Sequence, residues 1–211
     1  MKPTDNKIYL ASKSPRRREL LRQIGVEFEL MLLRDRAPIG PEISEAVLAD
    51  EAPLDYVLRV AGEKASFAQK TLLWRRLPMR PVLAADTTVE IDGRILGKPA
   101  NAQEAAAMLT ALSGRMHLVH TSMTVRHQDD VWQTTQTSEV VFTDLTPAQI
   151  TAYCATAEPY DKAGGYAVQG MAALFIKEIR GSYSGIMGLP LFETTQLLQR
   201  AGLKVLCAKT S

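Results

Sequence analysis

This chain of 211 residues has little cysteine, little net charge and no long apolar run, and each shortage removes a class of explanation. Its two cysteines, Cys154 and Cys207, stand far apart, with no CxxC pair and no Cys/His cluster. Neither a disulfide framework nor a zinc site is built that way. Lysine and arginine total 25 against 23 aspartates and glutamates, a formal charge of +2. A nucleic-acid binder would carry a basic excess, with aromatics laddered beside its arginines, and this chain shows neither. Any positive site must therefore be local. No apolar run approaches the length of a bilayer span, and "MKPTDNKIYLASKS" lacks the apolar core of a signal peptide. The expectation is a reduced, cytoplasmic, soluble protein with no membrane partner.

What is present is ordinary globular material: 46% apolar and 23% charged residues, in a chain long enough for one large or two small lobes. Strand and helix signals alternate, which favours an α/β fold. Ile8 to Leu10 read as a strand end, and Ser14-Pro15 as a helix start with Leu20, Leu21 and Ile24 on one face. A second helix is expected from Leu54 to about Lys70, with Val57, Val60, Ala61, Ala65 and Ala68 at helical spacing. "RPVLAADTTVEIDGRIL" reads as a strand and a hairpin turned at Asp92-Gly93. Asn101 and Glu104 suggest a capping box for a helix stopped by Gly114, and Thr146-Pro147 with Gln149 suggests another. Between them lie two β-rich segments joined near Asp129-Asp130. "LFIKEIRGSYSGIMGLP" reads as strands broken by glycine turns, before a last helix from Pro190 to Gly202. The central antiparallel stretch makes the sheet a mixed one.

The first helix breaks a rule. Arg16, Arg17 and Arg18 crowd its first turn, where the macrodipole favours acids. A strand end, a short loop and a helix N-terminus form an anion site, and Arg16 and Arg17 with Ser12 and Ser14 would complete a polyphosphate cradle. A solvated basic turn is the plain alternative. Arg18 reads as surface.

Asp86, in "VLAADTTV", follows four apolar residues and should sit at the carboxyl end of a buried strand, where α/β sheets bind ligands. It can hold a divalent metal or take a proton from water, or else simply cap a turn. Lys64 falls on the apolar stripe of its helix, either snorkelling at the core edge or serving a site. Lys98, in "ILGKP", is by itself a surface lysine. In "EPYDKAGGYAVQG", Gly164-Gly165 and Gly170 allow close backbone approach, Asp161 and Lys162 bring opposite charges, and the Gln169 amide suits a base edge. His117, His120 and His127 show no metal-ligand spacing and read as strand or surface residues.

In order along the chain, "LASKSPRRRELL", "EKA", "LAADTTV", "GKP", the "LSG" helix end, "YDKAGGYAVQG" and "GSYSGIMGLPLFET" together resemble the Maf family of nucleotide pyrophosphatases. The resemblance implies a single α/β domain over residues 1–211, of the Maf/inosine triphosphatase kind: two lobes on an elongated mixed sheet flanked by helices. A cleft between the lobes would hold a nucleoside triphosphate and a divalent metal, Mg²⁺ or Mn²⁺. It implies cleavage between the α- and β-phosphates, and a homodimer. Ser12, Arg16, Arg17, Lys64 and Lys98 would meet the phosphates, with Asp86 as general base or metal-linked acid. Ser14 and Lys162 would complete the substrate contacts. Arg16, Thr87 and Gln169 resemble the set of the branch acting on dTTP and UTP; the branch acting on 7-methyl-GTP typically has an aromatic and an acid in place of Arg16 and Gln169.

Two departures accompany the likeness. Lys13 stands where the family has a small or polar residue, and the segment 31–53 lacks the compact isoleucine-aspartate-glutamate pattern that supplies a metal-linked acid. Asp35, Glu42 and Glu45 are the candidates for that acid. Three readings follow: a metal-dependent dTTP/UTP pyrophosphatase, a nucleotide-binding regulator of cell division with little turnover, or a 7-methyl-GTP pyrophosphatase. The intact Asp86, Lys64 and Lys98 favour an enzyme, and the altered acidic segment favours the binder.

Overall fold

The fold is organised around one long central strand, β3 (Val82–Ile91), whose first residues are buried on both faces. The computed structural model describes residues 6–31 and 44–205; Asp35, Glu42 and Cys207 lie outside them. Ahead of β3 come β1 (Lys7–Leu10), α1 (Pro15–Gln23), β2 (Glu27–Leu30) and the 22-residue α2 (Pro53–Trp74). After it come β4 (Arg94–Leu96), α3 (Ala102–Leu112), β5 (Met116–His127), β6 (Asp130–Phe142), α4 (Pro147–Cys154), β7 (Ile176–Arg180), α5 (Tyr183–Ile186) and α6 (Leu191–Arg200). Short 3₁₀ turns occupy Pro159–Asp161, Ala163–Gly165 and Met171–Leu174. The sheet has seven strands in the order β2-β1-β3-β5-β6-β7, with β4 on β3. β2 and β3 run parallel to β1 and the rest pair antiparallel, so the sheet is mixed as expected.

One face of β3 explains the two lobes. Leu83 and Ala85 pack in a cluster with Ile8, Leu21, Leu197 and Leu198, while Val89 and Ile91 pack in another with Leu109, Leu112 and Phe142. Between them stands Thr87, paired with Thr121 of β5. Two threonines thus interrupt the apolar stripe and divide one core into two. On the opposite face, Val82 and Ala84 pack under Ala65 and Ala68 of α2. Small residues there bring α2 close to the sheet.

The expected caps are present. Ser14 Oγ accepts from Arg17 N, Asn101 from Glu104 N, and Thr146 and Gln149 form a full capping box. The Glu104 carboxylate reaches back one residue further than the box requires, to Ala100 N at 2.9 Å.

Several details differ from the sequence reading. α2 continues to Trp74, four residues past Lys70. His127 pairs with Asp130, which places the hairpin turn at Gln128-Asp129, with Gln128 at φ 57°. In "GSYSGIMGLP" the chain forms the short helix α5 rather than a strand, because Ser182 Oγ caps Gly185 N at 3.0 Å. β2 carried no usable signal: its four residues, EFEL, are mostly exposed and have little apolar contrast. The three histidines lie on β5, and all are buried rather than superficial. Cys154 is a buried free thiol.

Candidate active site

β3 has a neighbour along its whole β5 side but not along the other. β1 covers it only at Val82 and Leu83, and β4 only from Val89 onward. Ala84 to Thr88 therefore present an open edge, and a cleft of about 840 Å³ lies there. Asp86 therefore lies in the middle of the ten-residue β3 rather than at its carboxyl end, as the apolar run before it suggested, and the cleft arises from the missing edge partner.

An open edge leaves backbone groups to be satisfied. Arg17 does this with its side chain. Its Nη1 donates to Ala85 O at 2.8 Å and its Nε to Gly188 O at 2.7 Å. Further N–H groups reach Ser12 Oγ and Thr87 Oγ1, each at 3.2 Å. Four of its five N–H groups are thus committed to protein. Burial lowers the Arg17 pKa, with Asp86 acting in the opposite direction. Arg17 stands in the cleft as the sequence suggests, but as a brace between the first loop, β3 and the turn after α5.

Ser12 benefits from that brace. Its oxygen accepts from Ser14 N and from Arg17, each at 3.2 Å, which leaves its own hydrogen free to donate to an anion. Arg16 differs from its neighbour: its nearest acid is Asp161 of the opposite lobe, at 3.8 Å. Asp161 also pairs with Lys162, whose ammonium donates to Glu158 O at 2.8 Å. Lys162 and Asp161 line the cleft wall facing α1, and Gln169 is exposed at its rim. Lys98 is exposed on the same cleft.

The centre of the site belongs to Lys64. From α2 its Nζ reaches Asp86 Oδ1 at 2.7 Å and Glu45 Oε1 at 2.6 Å. The residue that looked out of place on an apolar stripe thus joins two carboxylates. Burial works against the Glu45 carboxylate, but Lys64, with Lys98 and Arg17 behind it, holds its pKa below the usual range. Of the three candidate acids, Glu45 is the one the described residues bring to the cleft. Thr87 lies at the floor; Arg17 donates to its hydroxyl, which in turn donates to Thr121 Oγ1 at 2.9 Å, and Thr121 donates to Gly185 O at 2.8 Å.

Apolar walls come from Tyr56, Phe67, Tyr166, Val168 and Met187. Sequence reasoning did not single these out, nor Gly188, because each is brought to the cleft by long-range packing. Gly164 and Gly165 do what the motif suggests: at φ +70° and +69° they turn the chain tightly against Val89 and Pro99. Arg18 does not behave as a plain surface residue, since its Nε is buried.

Residues 7–201 match the family described as Maf-like protein. The dTTP/UTP pyrophosphatase of Nitrosomonas europaea is 49% identical over 203 residues, covering 96% of this chain and 98% of that one. Those of Aromatoleum aromaticum and Dechloromonas aromatica are 52% and 46% identical, each covering at least 95% of this chain and 98% of their own. Among solved structures, the Staphylococcus aureus Ham1 protein aligns with 80% of this chain and 90% of its own at 13% identity, with a TM-score of 0.46. This chain belongs to the Maf-like protein family.

Proposed function

We propose that this protein is a nucleoside triphosphate pyrophosphatase that hydrolyses dTTP and UTP to the nucleoside monophosphate and pyrophosphate. The observation that carries the reading is the Lys64 ammonium held between Asp86 and Glu45 inside a cleft rimmed by further cations. Its relatives named dTTP/UTP pyrophosphatase are about half identical over nearly their full length.

The chemistry follows from the residues present. Lys64 holds Asp86 Oδ1, leaving Oδ2 to take a proton from water as its oxygen attacks the α-phosphorus. The bond from that phosphorus to the oxygen bridging the β-phosphate breaks, and pyrophosphate leaves. Arg16, Lys98, Lys162 and the Ser12 hydroxyl supply positive charge and hydrogen bonds to the departing oxygens. Arg16 exchanges the Asp161 carboxylate for phosphate when nucleotide enters.

The donor set suits a hard cation. Asp86 and Glu45 offer oxygens only, and no group of three His, Cys, Asp or Glu forms a metal cage among the described residues. Magnesium is typically held by one or two carboxylates, phosphate oxygens and water, which is what this cleft would provide. Bound there, Mg²⁺ or Mn²⁺ would offset charge on the polyphosphate. Glu45 beside Lys64 supports turnover over a purely binding role, since the altered segment thereby supplies an acid to the cleft.

The Gln169 amide carries both a donor and an acceptor, as thymine and uracil edges require. Thr87 would shape the floor below the base, its hydroxyl being engaged by Arg17 and Thr121. A homodimer, which rests on the family likeness, and a cytoplasmic location, which rests on the sequence composition, are parts of the same proposal; no helix among the described residues is long and apolar enough to cross a membrane.

Pyrophosphate release from dTTP, UTP, CTP, GTP and 7-methyl-GTP, with Mg²⁺ or Mn²⁺ and with chelator, tests the reading. Metal-dependent release strongest with dTTP and UTP is expected. Release from 7-methyl-GTP alone would overturn the substrate class, and nucleotide binding without release would overturn the enzyme.

A further inference from the structure

Residues 44–52 form no helix or strand, and most of them stand in solvent. This stretch nevertheless brings Glu45 to 2.6 Å from Lys64. Hydrophobic burial does not hold it there. Instead, two side chains of α2 take hold of consecutive backbone carbonyls. Tyr56 Oη donates to Glu45 O at 3.0 Å, and Arg59 Nη2 donates to Ala46 O at 3.0 Å.

The rest of the Arg59 fork closes on Glu51, Nε to Oε1 at 2.5 Å and Nη2 to Oε2 at 2.8 Å. Glu51 Oε2 accepts in addition from Leu48 N at 3.0 Å, so both ends of the stretch are tied to one guanidinium. Hydrogen bonds from Arg59 lower the Glu51 pKa to about 2, which keeps the pair ionised near neutral pH. The guanidinium also lies 5.7 Å from the centre of the Tyr56 ring. Glu63, one turn along α2, meets its remaining edge at 3.3 Å. Tyr56, Arg59 and Glu63 recur at helical spacing, with Lys64 next in line. The helix that presents the ammonium therefore also fixes the carboxylate that meets it.

We propose that Arg59 is a positioning residue: with Tyr56 it clamps the Glu45 segment onto α2, keeping the Glu45 carboxylate beside Lys64 and Asp86 and so setting the affinity for the divalent cation that accompanies nucleotide. The inference rests on the site reading given above. Unclamped, an exposed irregular stretch would spread over many conformers, and the carboxylate would be present only part of the time. A lysine would not replace the arginine, because the contacts to Glu51 and Ala46 need a planar fork.

The test is Mn²⁺ affinity, followed by electron paramagnetic resonance on protein holding α,β-methylene-dTTP, together with amide exchange over residues 44–48. Arg59→Met, Arg59→Lys, Glu45→Gln and the Glu45→Gln/Arg59→Met double variant are compared with the parent. Arg59→Met should weaken Mn²⁺ binding roughly tenfold, as loss of outer-shell support does at metal sites, and Glu45→Gln, which removes the carboxylate itself, should weaken it at least as much. The double variant should be no weaker than Glu45→Gln alone, since Arg59 acts only through that carboxylate. Arg59→Lys should not restore binding, and amide exchange should quicken in each Arg59 variant. Unchanged Mn²⁺ affinity in Arg59→Met, or a loss in the double variant equal to the product of the singles, would overturn the clamp alone. Unchanged affinity in Glu45→Gln, or no Mn²⁺ uptake by the parent protein, would overturn the cation role of Glu45 and the clamp's purpose together. The role of Asp86 as the base is tested separately, by Asp86→Asn, and does not depend on the clamp. If Arg59→Met does not fold, Tyr56→Phe removes one hydroxyl from the same link and should give a smaller loss in the same direction; no loss there overturns the clamp.

Discussion

The Arg17 guanidinium donates to the Ala85 carbonyl across the open edge of β3, where neither β1 nor β4 reaches. A second bond from the same group, to Gly188 O, joins residues 171 positions apart in sequence. Adjacent arginines at one helix N-terminus thus have different tasks: Arg17 completes the sheet edge, while Arg16 faces the opposite lobe through Asp161.

Arg17→Lys should therefore destabilise the fold itself. A point charge cannot serve Ala85, Gly188, Ser12 and Thr87 together, and loss of such partly buried charged hydrogen bonds costs about 2–3 kcal/mol. Arg16→Ala should leave stability within about 0.5 kcal/mol while weakening triphosphate binding. Urea unfolding of the two variants, beside nucleotide titrations, checks the division. Equal stability losses would contradict it.

Lys64→Met should leave Asp86 and Glu45 facing each other without their shared cation. Turnover should fall by at least about a hundredfold. Nucleotide-free protein should bind Mn²⁺ more tightly than the parent, because two carboxylates lose a competing ammonium. Steady-state rates and Mn²⁺ titration measure both; weaker Mn²⁺ binding would show that the two acids do not share one cation site.

His117 gives a pH dependence with a definite sign. Burial lowers its pKa to about 4, and its Nε2 is hydrogen-bonded to Tyr166 Oη at 2.8 Å. The unfolded chain therefore binds a proton that the folded protein refuses between about pH 6.5 and 4. Stability should fall as pH drops through that window, by roughly 3 kcal/mol from this group at its limit, and should gain nothing from it above pH 7. His117→Gln should flatten the slope in urea unfolding across that range; an unchanged slope would assign the acid sensitivity elsewhere.

Gly164 should not tolerate a side chain. Its φ is +70°, and an added Cβ would lie 2.9 Å from Val89 Cγ2. Gly164→Ala should cost about 1–3 kcal/mol and displace the chain that leads to Gln169, visible as a lowered melting temperature and poorer nucleotide use. Retained stability would mean that Val89 yields at little cost.

Much of the site was legible because its residues contradict their surroundings. Asp86 ends an apolar run, and Lys64 interrupts an apolar stripe; each conflict with the local pattern marks a contact made elsewhere. The ordered motifs brought Ser12, Ser14, Lys98, Lys162 and Gln169 to the cleft as well. Glu45 could not be separated from Glu42 and Asp35 by spacing alone, because its position is fixed by Tyr56 and Arg59 rather than by an element of its own. The role of Thr121 depends on the pairing register with Thr87, which no single stretch of sequence reveals. The brace role of Arg17 likewise needed Gly188 to be in place. β2 and α5 escaped notice because short elements have too little periodicity to read and are fixed by their neighbours.

The most direct test of the account is pyrophosphate release from dTTP by Asp86→Asn, compared with the parent protein at saturating nucleotide and Mg²⁺. Asparagine keeps the shape and the contact with Lys64 but cannot take a proton. Release should fall by about a thousandfold or more, the range associated with loss of general-base catalysis and of an electrostatic contact together, while nucleotide affinity stays within a few-fold. Turnover near the parent rate would remove Asp86 from the chemistry and contradict the mechanism proposed for this cleft.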